Sequence, residues 1–404
     1  MLNTPFPPWP AFTEEEADAV AAVVRSNRVN YWTGNECREF EREFAAWTGT
    51  RHAVALSNGT LALDVALHAL GIGKGDEVVV TPRTFIASVS CVVSAGGIPV
   101  FADVDPDSGN ITAETIERVL TPRTRAIICV HLAGWPCDMD PIMALAGRRR
   151  LKVIEDCAQA HGARYKGRSV GSIGHVGAWS FCQDKIMTTG GEGGMTTTND
   201  EALWRTMWAY KDHGKSYAAV YEKEHPTGFR WLHESFGTNW RMLEMQAVIG
   251  RIQLRRMGDW TARRSANADA IHAACRPYRA VRIPTFACGG NACHPACASR
   301  SGCVHAQYKC YAYVAREGLA DGWSRDRIIE SINALGVPCY QGSCSEVYLE
   351  KAFEGTGWVP PVRLPVAREL GESSLMFLVH PTLSADDLDK ARSAIQSVLA
   401  RASA

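Results

Sequence analysis

Short runs of β-branched and apolar residues alternate along this chain with longer stretches in which apolar positions recur every three or four residues. Ala53 to Leu56, the run ending at Val80, Ile98 to Asp105, Arg125 to Leu132, Leu151 to Ile154 and Val176 to Cys182 read as strands. Between them lie helical patterns. After Asn58, Leu63, Ala66, Leu67 and Leu70 fall at i, i+3, i+4 and i+7, and Gly71 marks the end of that helix. Residues 13–28 predict an amphipathic helix with acids in its first turn and arginine in its last. Strands alternating with helices and separated by Gly, Pro and Asp turns predict a mainly parallel sheet wrapped by helices, an α/β fold. From Glu201 the pattern changes to longer helices, and a helix is expected from Thr261. The chain closes on a helix capped at Ser384, with Leu388, Ala391, Ile395 and Val398 on one face. We place a boundary near residue 255: a large domain over 1–255 and a smaller α+β domain over 256–404, the latter carrying a Cys-rich loop at 286–310.

At 404 residues the chain is long enough for two domains. Its 43 basic residues balance 43 acidic ones, which argues against nucleic acid or an anionic membrane as partner. The start, MLNTPFPPWPAF, has neither a basic nor an apolar leader pattern, and no apolar run reaches membrane-spanning length, so a cytoplasmic protein is expected. Fourteen cysteines are many. Most sit singly in apolar runs, as Cys91, Cys129, Cys157 and Cys182 do, where a thiol behaves as a small hydrophobe in a reducing compartment.

Residues 153–195 carry the chemistry. Asp156 ends one predicted strand, and Lys185, twenty-nine residues later, follows another and precedes Gly190, Gly191, Gly193 and Gly194. Strand-end residues of an open α/β sheet face the ligand crevice. An acid to pair a pyridinium nitrogen and a lysine to bind an aldehyde are what a pyridoxal 5′-phosphate (PLP) enzyme asks of its protein. The bland alternative is a helix-capping acid and a solvated lysine. Ser57-Asn58-Gly59-Thr60, between a strand and a helix N-terminus, suits an anion; it also suits an ordinary cap.

Taken in order, FEREFAAWTGT, SNGTLALDVAL, GDEVVVTPRTFIAS, VHLAGWPCDMDPI, VIEDCAQAHGA, SFCQDKIMTTGGEGG and NWRMLEMQAVIGRIQL resemble the DegT/StrS family of PLP-dependent sugar aminotransferases. That family has the aspartate-aminotransferase fold (fold type I), with a seven-stranded, mainly parallel sheet in the large domain. The resemblance implies that Lys185 holds the cofactor and moves protons, and that Asp156 pairs with the ring nitrogen. Gln159 would sit near the ring hydroxyl and Phe85 on the ring face. Gly59, Thr60 and Ser180 would take the phosphate, and Asn239 would reach across a homodimer to the partner's phosphate. It further implies L-glutamate as donor, leaving as 2-oxoglutarate, and a nucleotide-linked keto-sugar as acceptor, in amino-sugar synthesis for a polysaccharide or secondary metabolite. A dehydrating branch carries His where Lys185 stands, so lysine implies amine transfer. The rivals are a keto-cyclitol or free-sugar acceptor, and a non-catalytic PLP-binding regulatory homologue.

Substrate-side candidates are Tyr31, Trp32, His213, Tyr340 and Ser343; Tyr31 and Trp32 read equally as packing. Three features depart from the family pattern. Asp184 stands beside the lysine and, on an extended backbone, points elsewhere. The segment GSCSE at 342–346 replaces the usual substrate-contacting histidine and reads either as new contacts or as a turn. Cys288, Cys293, Cys297 and Cys303, with His294 and His305, are candidate soft metal ligands, but their x4, x3 and x5 spacings lack the paired C-x2-C of zinc knuckles, so no metal is assigned.

Overall fold

The computed structural model describes residues 6–288, 291–293 and 302–404. Its large domain is built on strands β1 (His52–Leu56), β2 (Glu77–Val80), β3 (Ile98–Phe101), β4 (Thr124–Val130), β5 (Lys152–Asp156), β8 (Val176–Ser180) and β9 (Gly194–Thr198). A small hairpin, β6 (Arg164–Tyr165) with β7 (Arg168–Ser169), lies apart from them. The seven strands form one sheet in the order β1-β9-β8-β5-β4-β2-β3. Only β9 runs against its neighbours; β8, β5, β4, β2 and β3 pair in parallel. The expected mainly parallel seven-stranded sheet is therefore present.

Alternate residues of the central strands enter two different cores, as the two-residue strand period requires. Val78, Val80, Ile128 and Ile154 pack on one face, and Val79, Ile127, Cys129 and Val153 on the other. Continuous apolar runs were thus the correct sign of a sheet covered on both sides. Three helices matter for the site: α1 (Glu14–Arg25), whose Thr13 cap and Glu16 form a capping box; α2 (Glu36–Thr48); and α3 (Gly59–Ala69), capped by the Asn58 side chain accepting from the Leu61 N–H at 3.0 Å.

The second sheet, β10 (Val281–Arg282), β13 (Cys310–Val314), β15 (Ser374–Phe377) and β14 (Cys339–Tyr340), is antiparallel throughout. It shares a core with the C-terminal helix Ala385–Ala402 through Cys310, Ala312, Ile395 and Val398. One difference from expectation is the helix Glu244–Cys275, which runs unbroken through residue 255. Its first half is tied to the N-terminal helices by Arg251 to Glu36 and Glu43, and by Arg256 to Glu15 and Glu16. Its second half packs Ala268, Ile271 and Ala274 into the small-domain core. The helix serves both domains, so no composition break marks the junction.

In the Cys-rich stretch, β11 (Phe286–Cys288) pairs with β12 (Asn291–Cys293). His294 and Cys297 lie outside the described residues. Cys303 is buried, and its Sγ accepts the Lys166 N–H at 3.2 Å. Among the described residues no helix is long and apolar enough to cross a membrane.

Candidate active site

Because β1, β2, β4, β5 and β8 all point the same way, their C-terminal ends share one edge of the sheet. Asp156 ends β5 there and Ser180 ends β8. Asp156 is only 5% exposed. One carboxylate oxygen accepts the Ser88 hydroxyl at 2.7 Å, and Ser88 in turn is 2.8 Å from the Thr84 hydroxyl. The other oxygen accepts the Ala158 N–H at 3.1 Å. Burial raises the Asp156 pKa above the usual carboxylate range; Ser88, Ala158 and the charge of Lys185 offset part of that rise. Such a carboxylate gains most from a buried cationic partner. Ser88 escaped the sequence reading, although Thr84 and Ser88, four residues apart where a helix begins, share one face.

Gln159 is held by its carbonyl oxygen, which accepts the Ala133 N–H at 2.8 Å, leaving its amide NH2 to act as a donor. Phe85, at the head of the turn that delivers Ser88, is 68% exposed: an uncovered aromatic face at the sheet edge.

Gly59 opens α3 against Ser180. A Cβ at Gly59 would lie 2.5 Å from the Ser180 Cβ and 2.9 Å from its Oγ. The close approach brings the first-turn N–H groups of α3 and the Ser180 hydroxyl onto one spot. With the helix dipole, this arrangement could hold an anion. Ser180 Oγ also accepts the Cys182 N–H at 3.3 Å.

Lys185 follows Phe181 in a turn, not on an extended strand. Its N–H bonds the Cys182 carbonyl at 3.0 Å, and its carbonyl accepts the Trp9 indole N–H at 2.8 Å. This turn corrects the expectation for Asp184. Its carboxylate folds back to 3.4 Å from Lys185 Nζ and accepts the Tyr308 hydroxyl through its other oxygen. Lys185 Nζ lies 5.2 Å from the centre of the Tyr308 ring. Burial would raise the Asp184 pKa, but Lys185 and the Tyr308 hydroxyl outweigh it and hold the carboxyl below its ordinary range. Tyr308 is more than a hundred residues from Lys185, and periodicity carried no signal for it. It is set in place by 304–309 running beside 132–134, with Ala306 and Tyr308 N–H groups bonding Gly134 and Ala133 carbonyls at 2.9 Å each.

The substrate-side candidates separate. Tyr31 is 2% exposed, donates to Glu41 and accepts from the Trp208 indole, both at 3.1 Å, and carries Lys211 Nζ 3.8 Å from its ring centre. That places it in the large-domain packing. Trp32 packs edge-on against Trp208, with Lys215 Nζ 4.0 Å from its ring centre. His213 is exposed in a positive-φ turn, and Asn239 is exposed with its backbone bridged to Asp212. Tyr340 lies half-buried on β14. In the rewritten segment, Ser343 is bonded to the Tyr311 hydroxyl, Ser345 accepts from the buried Arg83 at 2.8 Å, and Glu346 pairs with Arg363. Those side chains shape a turn; Cys344 is exposed.

Among the described residues, His131, Glu155 and Cys157 are grouped closely enough to hold a metal. Their donors are already engaged. Glu155 accepts from the Gly171, Ile173 and Gly174 N–H groups and from His131 Nε2, while His131 Nδ1 accepts the Cys137 N–H. The cluster is a brace beneath Asp156.

A family model described as the DegT/DnrJ/EryC1/StrS aminotransferase family matches residues 10–396. The chain is 36% identical over 368 residues to the GDP-perosamine synthase of Caulobacter vibrioides, covering 89% of each. It is 38% identical over 281 residues to the L-glutamine:2-deoxy-scyllo-inosose aminotransferase of Streptomyces kanamyceticus, covering 68% of this chain and 65% of that one. The X-ray structure of the aminotransferase from Psychrobacter cryohalolentis matches with a TM-score of 0.95 at 65% identity, covering 98% of this chain and all of that one.

Proposed function

Since the chain belongs to the DegT/DnrJ/EryC1/StrS aminotransferase family, and is an aminotransferase, we propose that it moves the amino group of L-glutamate onto a nucleotide-linked keto-sugar in amino-sugar biosynthesis, using PLP. The observation that carries the cofactor reading is the buried Asp156 at the end of β5, whose pKa burial raises and whose two oxygens are held by Ser88 and Ala158, with the charge of Lys185 acting on it. The residues present fit the group. Asp156, with its anionic form disfavoured by burial, is relieved by a pyridinium N–H. The Gly59–Ser180 approach offers N–H and O–H donors to a phosphate, and the uncovered Phe85 ring offers a face to a planar heterocycle.

When bound, PLP supplies the electron sink that acidifies the carbon bearing the amino group. The protein supplies the rest. Lys185 Nζ takes that proton and returns it to the neighbouring carbon. Asp156, with both oxygens fixed by Ser88 and Ala158, would hold the ring nitrogen. Gln159, anchored through Ala133, would offer its amide NH2 to the ring edge. The exposed Asn239 suits a homodimer in which each subunit completes the other's phosphate site, and a cytoplasmic enzyme is consistent with the soluble substrates.

The relative named for 2-deoxy-scyllo-inosose supports a second reading, a keto-cyclitol acceptor. The deciding experiment records absorbance of the purified protein and of Lys185→Ala before and after L-glutamate, then offers nucleotide-linked keto-sugars and keto-cyclitols to the aminated protein. A visible band in the wild type that L-glutamate bleaches, restored only by a nucleotide-linked acceptor, is expected. No cofactor band with PLP supplied would overturn the cofactor reading, and restoration only by a cyclitol would replace the acceptor.

A further inference from the structure

The family reading gives Lys185 two states, joined to the cofactor and free. We infer that Asp184 and Tyr308 form a dock for the free amine, making Asp184 a positioning residue that sets the balance between the two states. This rests on the proposed PLP reading and deepens it.

The geometry is a two-sided seat. Asp184 Oδ1 lies 3.4 Å from Lys185 Nζ, with the lysine side chain 17% exposed and the acid 63%. The Tyr308 ring presents its face to the ammonium at 5.2 Å, and its hydroxyl bonds the second oxygen of Asp184, so one residue supplies both the cation–π surface and the brace for the counter-ion. The Trp9 indole pins the Lys185 carbonyl, which leaves the side chain as the moving part. Asp184 is held ionised by this arrangement, as its lowered pKa reflects. The bland alternative is a solvated ion pair that contributes nothing to the amine's position.

A thermodynamic comparison separates the two. PLP, an aldehyde, condenses with the Lys185 amine with loss of water and so takes the amine off its dock. Pyridoxamine 5′-phosphate carries an amine in place of the aldehyde and leaves Lys185 free on Asp184. Both carry the same phosphate and ring, so general effects of a mutation cancel in the ratio of their affinities.

Cofactor-free full-length protein is titrated with each compound. In Asp184→Asn the affinity for PLP relative to pyridoxamine 5′-phosphate should rise about threefold, the scale of a partly exposed ion pair. Tyr308→Phe, which keeps the ring and loses the brace, should move the ratio the same way by less, and the double variant should not exceed Asp184→Asn. In a Lys185→Ala background, Asp184→Asn should leave the ratio unchanged. A ratio that stays constant or falls in Asp184→Asn, or a shift that survives without Lys185, overturns the dock. Failure of the wild type to bind either compound would instead sink the PLP reading.

Discussion

His161 gives a prediction whose size follows from its surroundings. Its ring is fully buried, 5.2 Å from the Trp179 ring centre and 5.5 Å from that of Phe181, and among the described residues neither nitrogen has a hydrogen-bond partner. Burial, with the charges of Lys185 and Arg264 nearby, pushes its pKa down to about 3. In the unfolded chain a histidine titrates near 6.5. Between those values the unfolded state binds the proton and the folded state does not, so stability falls as pH drops below about 6.5, and the loss is complete only near pH 3. For this one group linkage costs about 1.4 kcal/mol at pH 5.5 and about 2 kcal/mol at pH 5, approaching about 5 kcal/mol at the acid limit. His161→Phe removes the titration and fits the aromatic surroundings. Urea unfolding of both proteins at pH 8, 5.5 and 5, at one protein concentration, isolates the term, because other groups and any subunit association cancel in the difference. The variant should gain on the wild type by about 2 kcal/mol between pH 8 and pH 5. Parallel acid losses in the two proteins would refute the reasoning and mean that His161 is protonated when folded.

Two further substitutions test the edge of the sheet. Gly59→Ala places a methyl 2.5 Å from Ser180 Cβ and should part α3 from β8, weakening capture of inorganic phosphate and of PLP by about tenfold or more while leaving the unfolding free energy from urea titration within about 1–2 kcal/mol of wild type, since alanine also favours the helix; unchanged phosphate affinity by calorimetry would move the anion site elsewhere. Glu155→Gln replaces one oxygen of a carboxylate that accepts from Gly171, Ile173, Gly174 and His131, setting an NH2 against donors, and should cost about 2–4 kcal/mol in urea unfolding. A loss below about 1 kcal/mol would show that the brace beneath Asp156 is dispensable.

The sheet and the acid at its edge were legible because their causes are local. An apolar run that ends in Asp predicts a buried strand with a carboxylate at its end, and β5 is that strand. The Ser-Asn-Gly-Thr turn predicts a capped helix, and Asn58 caps it. Tyr31 shows the limit of the same method. An aromatic at a loop–helix junction lines a pocket or fills a core depending on what lies across from it, and Trp208 and Lys211 come from a helix end far along the chain. The helix through residue 255 shows no single apolar stripe along its length, because its first half faces the large-domain core and its second half the small-domain core.

The contrast between Asp156 and Lys185 explains which part of the site escaped. Asp156 takes its environment from Ser88, at the start of the helix that follows β2, and from Ala158, just beyond β5 itself, both within its own domain. Lys185 takes its environment from Trp9 near the N-terminus, Asp184 in its own turn and Tyr308 from the segment entering β13. The direction of Asp184 is set by whether residues 183–187 extend or turn; the turn is closed by the Lys185 N–H to Cys182 carbonyl bond and held by the Trp9 indole, which lies 176 residues away in sequence. A strand-based expectation sends neighbouring side chains to opposite faces; a turn brings Asp184 and Lys185 to the same side. A turn at a single residue thus brings an acid that an extended backbone would send elsewhere to 3.4 Å from the amine that the proposed reaction depends on.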